Sequence, residues 1–134
     1  MSKKIVRTSG KRKMSIARVT VKPGNGEVRV NKKLLNLYSP ELARDKIKEA
    51  LILAGDIPKK LNISVDVNGG GIMSQAEAAR NAIANGLVEW SKSKDLKKRY
   101  LEYDRHLLVA DTRRTEPQKP CRSAARAGKQ TSKR

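Results

Sequence analysis

LNISVDVNGGGIMSQAEAARNAIANGLVEW, residues 61–90, changes period in its middle, and that change decides the fold. Leu61, Ile63, Val65 and Val67 alternate with Asn62, Ser64, Asp66 and Asn68. A period of two means a strand with one dry and one wet face. Gly69, Gly70 and Gly71 follow. Then Ile72, Ala76, Ala79, Ile83, Leu87 and Trp90 recur every three or four residues, the apolar stripe of a long helix. The glycines read as a hinge that brings helix and strand close together.

Upstream, Ile5 to Ser9 is expected as a short strand and Gly10-Lys11-Arg12-Lys13 as a basic turn. A second strand, Ser15 to Lys22, turns Ala17, Val19 and Val21 inward and Arg18, Thr20 and Lys22 outward. Pro23-Gly24-Asn25-Gly26 suits a tight hairpin to a third strand, Glu27 to Asn31, with Val28 and Val30 inward, so the strands read as a meander. Ser39-Pro40-Glu41 reads as a helix start with Ser39 as N-cap. Leu42, Ala43, Ile47, Ala50, Leu51 and Ala54 line that helix, and Gly55 and Pro58 end it. Ser93 is positioned to cap a further short helix, with Leu96, Tyr100 and Tyr103 on one side. The fold class is therefore α+β: a single mixed sheet of about four strands with two main helices on one face.

The pattern stops after about Leu108. This divides the chain into a globular unit, residues 1–108, with a basic N-terminal segment, and an extended basic tail, residues 109–134. The tail has too little apolar surface to offset the entropy of ordering by itself. The net charge of +18 is segregated: residues 1–22 hold eight basic and no acidic residues, residues 111–134 eight basic and two acidic. The part between is nearly balanced. Two basic arms on a near-neutral domain point to an anionic partner, and the arms suit phosphate neutralisation. With aromatics at 3% there is no stacking platform for single strands, which favours folded or duplex RNA recognised by shape and backbone.

Enzyme readings find little. The triple glycine lacks the lysine and Ser/Thr of a phosphate loop and the spacing of a dinucleotide fingerprint. His106 is the sole histidine and Cys121 the sole cysteine, so neither a zinc site nor an internal disulfide is expected, and a reducing compartment fits. With these motifs missing, no cofactor or small-molecule substrate is expected; no membrane contact is expected either, because no apolar run approaches the roughly 20 residues of a span. A free nucleic-acid chaperone would use the same charges but bind many RNAs alike.

Residues 69–87, from Gly69 through Gln75 and Arg80 to Leu87, closely resemble the signature of the S-nine family of small-subunit ribosomal proteins. Gly10-Lys11-Arg12-Lys13 to Val19, Lys22 to Gly26, and Ser132-Lys133-Arg134 agree with it, in a spelling closer to the archaeal and eukaryotic branch. The resemblance implies a left-handed βαβ crossover and a place in the head of the cytoplasmic small ribosomal subunit. Ribosomal RNA would then be bound by Lys11, Arg12, Lys13, Arg18, Arg113, Arg114, Lys119, Arg122, Arg126 and Lys129. The tail would reach peptidyl-site transfer RNA with Lys133 and Arg134, and head proteins would be neighbours. Gly69, Gly70, Gly71, Gln75 and Arg80 are the family-motif positions. The tail departs from bacterial members, which carry a denser arginine run and a Phe where this chain has Thr131.

Overall fold

The computed structural model describes residues 4–121 and 123–128. Five strands form one mixed sheet: β1 (Val6–Arg12), β2 (Ser15–Pro23), β3 (Val28–Val30), β4 (Lys33–Leu34) and β5 (Leu61–Asn68). Three helices accompany it: α1 (Glu41–Leu53), α2 (Ile72–Ser91) and α3 (Lys94–Tyr103). The spatial order is β1-β2-β5-β3-β4, antiparallel except where β3 and β5 run parallel. The chain passes from β3 through β4 and α1 to β5, so this pair closes a βαβ crossover. The α+β class and mixed sheet are as expected, with β4 as a fifth strand of two residues.

The meander is not formed. β5 lies between β2 and β3, so the turn after β2 spans a strand instead of closing a hairpin. Its hydrogen bonds say why. Gly24 N–H donates to Lys60 O (2.9 Å) and Gly26 N–H to Leu61 O (3.1 Å). The Asn62 side-chain oxygen accepts from the Asn25 N–H at 2.9 Å. The loop is wrapped around the start of β5.

The alternating residues behave as read: Ala17, Val19, Val21, Val30, Leu61, Ile63, Val65 and Val67 are buried on one face. α2 lies across that face, and α1 packs on α2 through Ala43, Ile47 and Ala50. Each fully buried Val, Ile or Leu side chain contributes roughly 1.5–3 kcal/mol of transfer free energy. α3 is capped as expected, Ser93 Oγ accepting from Leu96 N–H, and is tied to α1 by Tyr100, whose buried hydroxyl donates to Ala50 O at 2.6 Å. Burial pushes that phenol's pKa up.

Several local expectations are corrected. β1 runs on through Gly10, Lys11 and Arg12, paired with Ala17, Ile16 and Ser15, so the turn is Lys13-Met14. α1 begins at Glu41 with Pro40 in the cap position and no side-chain cap bond, so Ser39 is not its N-cap. Leu42 (74% exposed), Ile72 and Tyr103 lie outside the core, and Trp90 is only half-buried under Lys4, whose Nζ sits 4.8 Å from the ring centroid.

Candidate nucleic-acid interface

All three helices lie on one side of the sheet, and the other face has no covering layer among the described residues. On β1 this uncovered face carries Arg7, Ser9 and Lys11, and on β2 Arg18, Thr20 and Lys22. Register sets Arg7 opposite Thr20, Arg18 between Ser9 and Asp66, Lys22 opposite Asn62, and Arg29 of β3 opposite Ser64. Lys11 and Lys13 are exposed at the tip of the first hairpin. Lys11, Lys13 and Arg18 make no ion pair among the described residues, while Arg29 pairs with Glu27.

Arg12 faces the other way. Its Nε donates to Glu77 of α2 at 2.8 Å, it lies 3.6 Å from Asp111, and its Nη1 donates to Arg113 O at 3.0 Å. Its side chain is 12% exposed. Asp111 also forms an isolated parallel bridge with Arg12 and chelates the Arg113 guanidinium. Hydrogen bonds from the Arg113 side chain and backbone hold the Asp111 carboxyl far below the usual carboxylate range. Arg12 therefore clamps the root of the tail onto the end of β1.

Beyond that root, Arg114 and Lys119 are exposed, and Arg126 makes an exposed pair with Glu116 at 2.7 Å. No helix or strand forms in the described part of the tail. Arg122, Lys129, Lys133 and Arg134 lie outside the described residues.

Of the motif positions Arg80 is buried and Gln75 half-buried, while the three glycines are exposed, two set against the β1–β2 turn and one at the start of α2. Gly69 and Gly70 adopt positive φ (76° and 65°) against the β1–β2 turn. A Cβ on Gly69 would stand 2.5 Å from Met14 O, and one on Gly70 would collide with Ser15 Oγ. Ser15, fully buried, donates to Gly69 O at 2.8 Å, and Gln75 Nε2 donates to the same oxygen at 3.0 Å. Gly71 caps α2 with open space where its Cβ would be. Arg80 is buried, its guanidinium donating to Glu49 of α1 at 2.6 Å and to Asp104 after α3 at 3.1 Å. Burial would raise the Asp104 carboxyl, but the His106 backbone N–H and Arg80 outweigh it and hold it below its ordinary value.

Arg7, Lys22 and Arg29 were not among the candidate binding residues. Their signal was the wet half of the strand alternation combined with helices on one face only.

A family model described as ribosomal protein S9/S16 matches residues 10–134. A protein named small ribosomal subunit protein uS9 from Methanococcus maripaludis strain S2 is 48% identical over 121 residues, covering 90% of each chain. Proteins of the same name from strains C7 and C5 are 47% identical over the same length and coverage.

Proposed function

The chain belongs to the ribosomal protein S9/S16 family, and from that premise we propose that its folded domain binds ribosomal RNA in the small-subunit head while its tail reaches peptidyl-site transfer RNA. It is a structural constituent of the small ribosomal subunit, not an enzyme, and works in cytoplasmic ribosomes beside ribosomal RNA and other ribosomal proteins.

The observation that carries the RNA reading is the set of exposed cations on the first hairpin, Lys11, Lys13 and Arg18, which make no ion pair among the described residues. Arg114 and Lys119 extend the set into the tail. The exposed pair of Arg126 with Glu116 is worth little in water, so a phosphate can replace that carboxylate. Arg113 keeps its bidentate bond to the nearly buried Asp111, and its own largely exposed side chain can meet a phosphate beside that bond. Arg12 serves indirectly, by holding the tail root. Arg122 and Lys129 complete the proposed set from the sequence reading. Exchanging Lys11, Lys13 and Arg18 for Gln is expected to lower the slope of log affinity against log salt by about 2–3, since each phosphate contact contributes about 0.7–0.9. An unchanged slope, measured with a small-subunit RNA fragment, removes these residues from the interface.

The transfer-RNA part rests on Lys133 and Arg134, whose ammonium and guanidinium groups suit charge-assisted bonds to phosphate. Deleting residues 132–134 is expected to speed dissociation of peptidyl-site transfer RNA several-fold while subunit assembly proceeds. Equal retention by wild-type and truncated subunits contradicts the role.

A further inference from the structure

Resting on the ribosomal RNA reading above, we infer that the uncovered face of the sheet is a docking surface for duplex RNA, gripped through its sugar-phosphate backbone across the minor groove. From β1 to β3 this face spans three inter-strand gaps, about 14 Å. Arg7, Arg18, Lys22 and Arg29 are spread over it, and its carboxylates are Asp66, opposite Arg18, and Glu27, paired with Arg29. An acidic partner is therefore favoured by charge.

The groups between the cations narrow the partner further. Ser9, Thr20 and Ser64 offer hydroxyls. Asn62 has its oxygen occupied by the Asn25 and Glu27 N–H groups at 2.9 and 3.3 Å, so its amide nitrogen is the end left to donate. Arg7 borders two shallow depressions, one reaching Lys22 and Asn62, the other Arg18 and Asp66. Tyr38, Trp90, Tyr100 and Tyr103 all lie off these strands, so the face offers no aromatic ring for a base to stack on. Hydroxyl and amide donors among cations on a broad sheet suit the wide, shallow minor groove of A-form RNA, with its 2′-hydroxyls and flanking phosphates. They do not suit single strands, whose binding relies on aromatic stacking.

The test uses the full chain with Arg7→Gln, Lys22→Gln and Arg29→Gln combined, leaving Lys11, Lys13, Arg18 and the tail intact. The probes are a 20-base-pair RNA duplex, the same sequence as DNA duplex, and single-stranded RNA, each titrated at several salt concentrations. Wild type is expected to prefer the RNA duplex. The triple variant is expected to lose at least tenfold in affinity for it, with a salt slope smaller by about 2 and an unchanged melting temperature. Wild-type affinity and slope in the triple variant overturn the inference. If Arg114→Gln with Lys119→Gln, both in the tail and off this face, still lowers the slope, the ribosomal RNA reading survives that failure. In assembled subunits, a photo-reactive side chain at position 64 should crosslink to RNA. Crosslinking to protein, or to nothing, overturns the inference as well.

Discussion

Replacing Arg80 by Met is expected to destabilise the fold by about 2–3 kcal/mol and to lower Tm by roughly 8–12 °C. Arg80 leaves α2 in the one direction where two other elements present carboxylates: Glu49 from α1 and Asp104 from the end of α3. The guanidinium is 6% exposed, while the two carboxylates keep 30% and 34% of their side-chain surface in water. Removing one partner from a fully buried ion pair costs about 3–5 kcal/mol; partial hydration of the survivors reduces that here. Arg80→Lys keeps the charge but loses the planar fork that serves two acceptors at once, so its loss should be intermediate. Adding Glu49→Gln to Arg80→Met should recover part of the loss, because one uncompensated carboxylate is gone. Acid should narrow the gap between wild type and Arg80→Met. The Asp104 pKa is depressed in the folded state, so its contribution is present above about pH 4 and is lost as pH falls through the folded value. Denaturant and thermal melts of the full chain measure all of these. A variant that keeps its Tm but binds ribosomal RNA more weakly would instead make Arg80 a direct ligand.

Arg80 also marks where the sequence stopped being legible. The alternation of β2 and β5 was readable because each strand has one buried and one open face, and period two survives only in that case. The stripe of α2 was readable for Ala76, Ala79, Ile83 and Leu87, all fully buried. Yet α2 is held between the sheet on one side and α1 and α3 on the other, so Arg80 and Asn81 are buried too. Nothing local distinguishes a buried arginine from a surface one; its partners stand 31 and 24 residues away in the chain. Strand order was hidden for a similar reason. Pro23-Gly24-Asn25-Gly26 has hairpin chemistry, but hydrogen bonds to Lys60 and Leu61 pull the loop across β5. At the interface, Lys11 and Arg18 were found as cations in a basic segment. Arg7, Lys22 and Arg29 become a set only once β5 has been inserted between β2 and β3.

The second large effect is expected from a single methyl group. Ala78, Ala82 and Gly86 recur at a spacing of four along α2, and β1 lies in the groove they leave. The Thr8 hydroxyl donates to Ala82 O at 2.8 Å, and a Cβ on Gly86 would stand 3.0 Å from Thr8 Oγ1. Gly10 makes the closest approach: a Cβ there would lie 2.4 Å from Ala78 O and 2.6 Å from Ala82 N. Both atoms are helix backbone, so neither can rotate away, and Gly10→Ala must lift β1 from α2. The strain should reach the upper end of the usual overpacking range, about 3 kcal/mol. Because Gly10 pairs with Ala17 in the middle of the β1–β2 ladder, the lift should also loosen the strand that carries Arg7, Lys11 and Arg12. Amide exchange in β1 should rise more than in β5. Gly71→Ser is the matched contrast. Gly71 has φ −95° and no neighbour within 4 Å of its Cβ position, and it caps α2 without a side-chain acceptor. Serine there supplies the missing acceptor and should leave stability unchanged or raise it by a few tenths of a kcal/mol. Equal, small effects at positions 10 and 71 would mean that β1 is not seated on the helix as described. A large loss at 10 with none at 71 separates the glycine required by packing from the glycine that merely ends the turn.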